Sequence, residues 1–370
     1  MSEQSNAVPI HQLDPHMRLN NEGEAGLRWH VPTEAPFQLS GFAWFEQDGK
    51  YRRMPLAPSA PLPHAVDKLA NCTAGGQIRF RTDSAKLSVK VRLSAIANMN
   101  HMPATGQCGF DCYIDIQGKT RYHNTTKYDH RLQEYESMLI DLKRRESRTI
   151  TLYFPLYQGV EEVRVGLEPG AEIEAPPPFA GDKRVIVYGT SITQGGCANR
   201  PGMAYTNIMS RRIPLEFINL GFSGNGRGEP EVAQVISEIP RPACLVLDYE
   251  ANCPSPQKYE QTVPEFIRIY RAKHPGVPIL VVSKIRLGRE WLDEDLLNDR
   301  LIRQEIGRRT VAMLNEQGDR DVHFFDGAQL LGDDYEECTV DGAHPTDLGF
   351  LRMADGLTPA VEKLLQVLGG

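Results

Sequence analysis

Along the first half of the chain, hydrophobic positions alternate with polar ones. In "GQIRFRTDSAKLSVKVRLSA", Ile78 and Phe80 fall on one face, as do Leu87, Val89, Val91 and Leu93, while Arg79, Arg81, Lys86, Lys90 and Arg92 fall on the other. A period of two marks half-buried antiparallel strands. "GFDCYIDIQG" repeats it with Phe110, Cys112, Ile114 and Ile116, "SRTITLYF" with Ile150, Leu152 and Phe154, and "VEEVRVGLE" adds another strand. Helical spacing is nearly absent before residue 180. Many short strands punctuated by Gly, Pro and Asn predict an antiparallel β-sandwich, jelly-roll-like, over residues 1–178.

The pattern then changes period. "EIEAPPPFAGDKR" is a stiff connector by its prolines, and places a domain boundary near residue 180. Beyond it, the apolar runs "RVIVYG", "EFINLG", "CLVLDY", "PILVVSKI" and "VHFFDG" read as strands separated by amphipathic stretches. Tyr205, Ile208, Met209 and Ile213 share one helical face. Ser255 is placed to cap a helix that opens with Pro256. A long helix is expected from "WLDEDLL" to Gly318, and a last one from about Asp347, interrupted near Thr358-Pro359. Five βα units in series predict an α/β domain of flavodoxin-like type over residues 180–370, with a five-stranded parallel sheet covered on both faces.

Composition narrows the class. A length of 370 residues provides for two cores, and a net charge of -7 with no dense Lys/Arg run argues against nucleic acid or an anionic membrane as partner. No apolar run reaches the ~18 residues of a membrane span, and the polar start "MSEQSNAVPIHQLDP" lacks the apolar stretch of a signal peptide, so a cytoplasmic location is expected. Seven cysteines at 72, 108, 112, 197, 244, 253 and 338 form no Cys-x-x-Cys pair, which predicts reduced, mostly structural thiols and no metal site. The sequons at Asn71 and Asn124 read as chance matches without a secretory signal.

The chemistry lies where the predicted parallel strands end, because a parallel sheet gathers all its carboxyl ends on one edge. The first strand ends in "GTSITQG", the second in "NLGFSGNGRG" and the third in "LDYEANCP"; "VDGAHPTDLGF" precedes the last helix. Ester cleavage requires a nucleophile, a base that exchanges protons near neutrality, an acid that orients it and donors for the oxyanion. Ser191 is the candidate nucleophile, His344 the base and Asp341, three residues before it, the orienting group if the segment is turned or helical. The backbone N–H groups of Ser191 and Gly224 and the Asn252 amide are the candidate oxyanion donors. Taken singly, Ser191 could equally be a turn cap, and His344 or Asp341 a structural residue.

This ordered set resembles the SGNH (GDSL-type) hydrolase superfamily. "GTSITQG" matches its nucleophile block at Ser191, "NLGFSGNG" the second block at Gly224, "DYEANC" the third at Asn252, and "DGAH" the Asp-x-x-His block at Asp341 and His344. The resemblance implies a serine esterase working without cofactor or metal through an acyl-serine intermediate. With the N-terminal sandwich, the chain looks like two-domain bacterial esterases, many of which act on acylated carbohydrates. A short acyl, foremost acetyl, ester of a carbohydrate is the implied substrate and partner. The third block departs from the Gly-x-Asn-Asp pattern, carrying Glu250 and Cys253 where glycine and aspartate are expected. Glu250 therefore reads first as structural and second as a substrate contact.

Two further residues are candidates for substrate binding. Arg200 follows the nucleophile turn, where a salt bridge is the competing reading. His101 lies in the Met-rich loop "ANMNHMPATGQCG", which reads first as a long connection; the alternative carries His101 or Asn100 over the cleft of the second domain. His274 and His323 lie near strand starts, at the wrong edge. "GFSGNGRGE" has neither the spacing nor the strand position of a dinucleotide fingerprint, and no P-loop motif occurs. Acyl transfer to an alcohol, or glycan binding with an inactive hydrolase-like half, are the alternative functions. Oligomeric state is left open.

Overall fold

The computed structural model describes residues 26–366, together with residues 8, 10–14, 17 and 19; most of the polar start therefore lies outside the described residues. Among the described residues, ten strands build the first half. β1 (Arg28–His30), β4 (Lys86–Leu93), β7 (Glu134–Asp141) and β9 (Val160–Leu167) form one sheet in the order β1-β9-β4-β7. β3 (Gln77–Thr82), β5 (Asp111–Ile116), β6 (Lys119–Thr125), β8 (Arg148–Tyr153) and β10 (Ile173–Glu174) form the second in the order β10-β3-β8-β5-β6, with β2 (Gln38–Ser40) also on β3. All their pairings are antiparallel. The alternating residues do what their period demands. Ile78, Phe80, Cys112, Ile114, Ile150 and Leu152 of one sheet meet Leu87, Val89, Val91, Leu139, Val163 and Val165 of the other in one core.

The second half is a parallel sheet of β11 (Arg184–Gly189), β12 (Glu216–Gly221), β13 (Pro242–Asp248), β14 (Ile279–Val282) and β15 (Val322–Phe325), in the order β12-β11-β13-β14-β15. This is the flavodoxin-like order, with a switch point between β11 and β13. Successive residues face opposite sides. Ile186, Tyr188, Ile218, Leu220, Leu245 and Leu247 pack under helices Pro230–Ile236, Pro256–Arg271 and Glu294–Glu316. Val185, Val187, Phe217, Val246, Leu280 and Val282 pack under helices Tyr205–Arg212 and Asp347–Gln366.

Two helix expectations are corrected. Asp347–Gln366 runs unbroken through Pro359, and Thr358 Oγ1 donates to the Ala354 carbonyl at 2.6 Å while the buried Leu357, Thr358 and Val361 hold that stretch against the sheet. The long helix starts at Glu294 because the Asp293 side chain accepts from the Leu296 N–H, leaving Trp291 and Leu292 exposed ahead of it.

The two halves share cores. Trp44, Met54, Ala60, Val66 and Ala70 are buried on one face of the parallel sheet, and Ala74, Met102 and Leu156 on the other. A large apolar side chain buried this way stabilises by about 1.5–3 kcal/mol. The segment between β2 and β3, including a short helix His64–Leu69 absent from the sequence expectation, thus fastens the sandwich to the α/β layer.

Candidate active site

The register of the central strands sets the site. Gly189 pairs with Gly221 and with Asp248, so β11, β12 and β13 end level. Ser191, Gly224 and Asn252 follow two, three and four residues beyond those ends. Thr190 caps the turn Ser191–Gln194, its side chain accepting from the Ile192 N–H at 3.2 Å. Ser191 is the first residue of that turn, so its own N–H has no carbonyl one turn back to bond. At Gly221 a Cβ would lie 2.1 Å from the Gln194 nitrogen, so glycine there lets the nucleophile turn rest directly on β12.

The segment 340–344 folds back on itself, with the Val340 N–H on the His344 carbonyl and Gly342 at φ +84°. Asp341 Oδ1 thereby accepts from the backbone N–H groups of Ala343 and His344 at 3.0 and 2.8 Å, and Oδ2 lies 2.7 Å from His344 Nδ1. His344 Nε2 lies 2.9 Å from Ser191 Oγ. The sequence-predicted serine, histidine and aspartate therefore form one hydrogen-bonded chain. Partial burial opposes charge on Asp341, but the His344 N–H, the imidazole and the Ala343 N–H together hold its carboxyl down at about 2. An ionised acceptor on Nδ1 requires the Nδ1–H tautomer when the ring is neutral, and that leaves Nε2 free to take the serine proton.

The other predicted donors lie on the loops that follow the level ends of β12 and β13. Gly224 sits at φ +67°, a left-handed conformation, with open space where a Cβ would stand. Asn252 ends the 3-10 turn Glu250–Asn252 and donates one amide hydrogen to the Phe222 carbonyl at 3.3 Å, leaving a second for an incoming oxygen. Gln194 joins the two loops, accepting from the Ser223 N–H at 3.1 Å and donating to Leu156 from the sandwich half.

Supports that sequence reasoning did not single out are two buried arginines. Arg53, wholly buried, donates to the carbonyls of Gly221 at 2.5 Å, Leu69 at 2.7 Å and Cys72 at 2.8 Å, and its guanidinium lies over the Phe222 ring. Burial lowers its pKa to about 10, so it stays charged at neutrality. Arg303 donates to the carbonyls of Glu250 and Cys253 at 3.2 and 3.0 Å, on either side of Asn252. Below the site, Asp248 accepts from Thr193 and Tyr205 at 3.0 and 2.8 Å; burial raises its carboxyl to about 6 despite those bonds.

Two candidate substrate contacts are turned elsewhere. Glu250 is only 1% exposed and accepts from the Lys284 N–H at 3.4 Å; burial raises its carboxyl to about 8, against the pull of Lys284 and Arg303. A carboxyl so enclosed is held within the loop by the Lys284 N–H. Arg200 pairs with the fully buried Asp111 at 2.8 Å, bonds Tyr113 and stacks over Tyr122, so its charge serves the contact between the halves. His101 does reach the site: its Nε2 is 4.0 Å from Asp341 Oδ2 and its ring stands edge-on to His344 at 5.9 Å. The loop first read as a plain connection thus delivers an imidazole from the sandwich half, as Tyr157 delivers a hydroxyl to the Ser191 carbonyl at 3.3 Å. His101, Cys197 and His344 also present atoms of metal-ligand type within 4.8 Å of one another.

Comparison with known proteins now bears on this arrangement. Residues 182–362 match the model of the GDSL-like lipase/acylhydrolase family, and residues 27–173 match that of the N-terminus of SGNH hydrolase-type esterases. A crystal structure from Bacteroides ovatus, assigned as a GDSL-like lipase, is 32% identical, aligns over 92% of this chain and 98% of its own, and superposes with a TM-score of 0.85. The chain belongs to the SGNH (GDSL-like) hydrolase family. Two more distant structures share the fold of this SGNH hydrolase. A salicylyl-acyltransferase from a tetracycline biosynthetic pathway is 20% identical over 94% of this chain and 99% of its own, with a TM-score of 0.72. A family two carbohydrate esterase from Cellvibrio japonicus is 15% identical over 93% and 99%, with a TM-score of 0.58. No curated protein matches the chain. Among the described residues of this SGNH hydrolase, no helix is long and apolar enough to cross a membrane.

Proposed function

We propose that this SGNH hydrolase is a serine esterase that removes short acyl groups, foremost acetyl, from a carbohydrate. The observation that carries the reading is the continuous chain from Ser191 Oγ through His344 to Asp341, at 2.9 and 2.7 Å. Ser191 Oγ attacks the ester carbonyl carbon while His344 Nε2 takes its proton. The oxyanion is met by the N–H groups of Ser191 and Gly224 and by the Asn252 amide, and Asp341 stabilises the imidazolium. Collapse expels the sugar hydroxyl, protonated by His344, and leaves acyl-Ser191. Water, deprotonated by His344, then attacks that ester and releases the carboxylic acid and free Ser191.

The sugar half rests on the carbohydrate esterase of like two-domain fold, and on a site whose rim is built partly from the sandwich half through His101 and Tyr157. The test is mass spectrometry of acetylated oligosaccharides after incubation with enzyme. Wild type is expected to strip acetyl groups while folded Ser191→Ala does not; equal rates on p-nitrophenyl acetate for the two proteins would refute the assignment. Acyl transfer would use the same acyl-serine, and an acceptor alcohol added to the assay would divert product to a new ester.

A further inference from the structure

We infer that His101, Cys197 and His344 form a binding site for a thiophilic divalent cation of the zinc class, shared by the two halves of the molecule and inhibitory when filled. Atoms of ligand type on the three residues lie within 4.8 Å of one another, whereas neighbouring ligands in a tetrahedral zinc site are about 3.3–3.6 Å apart, given zinc–nitrogen and zinc–sulfur bonds of about 2.0–2.1 and 2.3 Å. Closing the set therefore asks for a shift of about 1 Å. His101 can supply it: its side chain is 32% exposed, and the polar partners at its ring are Asn100 at 3.2 Å and Asp341 at 4.0 Å. Cys197 is buried beside the base at φ +76°, a conformation rare for a residue with a side chain.

The donor set decides the class of ion. Two imidazoles and a thiol suit zinc, cobalt or copper and discriminate against magnesium and calcium, which prefer oxygen. Three protein ligands leave a fourth position for water. Asp341, at 2.7 Å from His344 and 4.0 Å from His101, supplies negative charge beside both rings. On binding, the thiol proton is replaced by the metal and passes to solvent, with no change of oxidation state.

Inhibition follows from how His344 is used. Its Nε2 holds Ser191 and its Nδ1 holds Asp341. A cation on either nitrogen breaks one of those bonds, so metal and turnover exclude each other. The inhibition rests on the esterase reading above; the binding does not.

The experiment uses the full chain freed of metal. Zinc chloride titrated into a p-nitrophenyl acetate assay is expected to abolish activity of the wild type, and chelator to restore it. Cys197→Ala is expected to keep its basal rate and to need at least tenfold more zinc for the same loss. Cobalt(II) supplies the readout independent of turnover: a thiolate-to-cobalt absorption band is expected in wild type and in Ser191→Ala, and not in Cys197→Ala. Should Cys197→Ala fold poorly, His101→Gln, altered on a partly exposed loop, tests the same site through weaker cobalt binding. Equal zinc sensitivity of wild type and Cys197→Ala, or no thiolate band in wild type, would overturn the proposal. A band in wild type without esterase activity would sink the esterase reading alone.

Discussion

Asp341 and His344 stand three residues apart and secure each other through one tight turn, with the Asp341 side chain 36% exposed. Gly224 and Asn252 stand on separate loops, and each is secured by an arginine from far along the chain: Arg53 behind the first, Arg303 around the second. In the half of the site that moves protons, the base and its orienting acid thus share one local turn. The half that must hold rigid dipoles is assembled from distant segments and backed by buried arginines. The difference has a physical reason. A base must reach substrate and water, and its partner need only fix a tautomer. Oxyanion donors lower the barrier only if they need no rearrangement as charge develops, so their backbone has to be immobilised beforehand.

The largest break in this comparison should come from the proton-moving half. Ser191→Ala and His344→Ala are each expected to lower kcat by about 10⁴-fold or more while far-ultraviolet circular dichroism stays unchanged. Asp341→Asn should follow closely in activity. In thermal scans, the contribution of Asp341 is present above its ordinary carboxylate range and lost as pH falls through about 2, so the melting temperatures of wild type and Asp341→Asn should converge at that acid limit.

A smaller loss is expected from the donor half. Asn252→Ala should reduce kcat by about 10²–10³-fold with KM nearly unchanged. Arg303→Met, which touches no substrate, should reduce kcat by up to about 10²-fold through displacement of Asn252, again with KM nearly unchanged, and Arg303→Lys should restore part of it. Were Arg303 merely structural, melting temperature would fall and kcat per folded molecule would not.

The smallest effect sharpens the account of Glu250. Its carboxyl titrates at about 8 in the fold, well above its ordinary range, so the stability of the protonated form is whole below that range and is lost as pH rises through about 8. Glu250→Gln keeps the shape without the charge. Its melting temperature should match wild type near pH 4 and exceed it increasingly toward pH 8; the reverse trend would mean that a carboxylate is needed there.

The same contrast explains what could be read from the sequence. Ser191, Gly224, Asn252, Asp341 and His344 lie in short blocks after strand-like runs, and a parallel sheet leaves little choice about where such blocks meet. Alternation at residues 78–93 likewise dictates which side chains face the sandwich core. Arg53 was illegible because its partners are backbone carbonyls, one of them 168 residues away, and carbonyls carry no residue-specific signal. Arg200 and Glu250 looked available to substrate because a charged residue near a catalytic block is a reasonable contact until its partner is known. The approach of His101 depended on the packing of two halves, which no local pattern encodes. The break expected at Pro359 failed for a related reason: packing of Asp347–Gln366 on the sheet outweighed a local helix penalty.

The strip of apolar residues from Trp44 to Ala70, which covers the underside of the parallel sheet, imposes an order of events on biosynthesis. A ribosome working at about 5–20 residues per second delivers this strip roughly 7–30 s before β12, whose Asn219 and Gly221 carbonyls Arg53 holds, exists to receive it. In that interval the nascent polypeptide carries a greasy flap with no seat, a natural target for chaperones, and any message truncated before β12 would release it permanently uncovered.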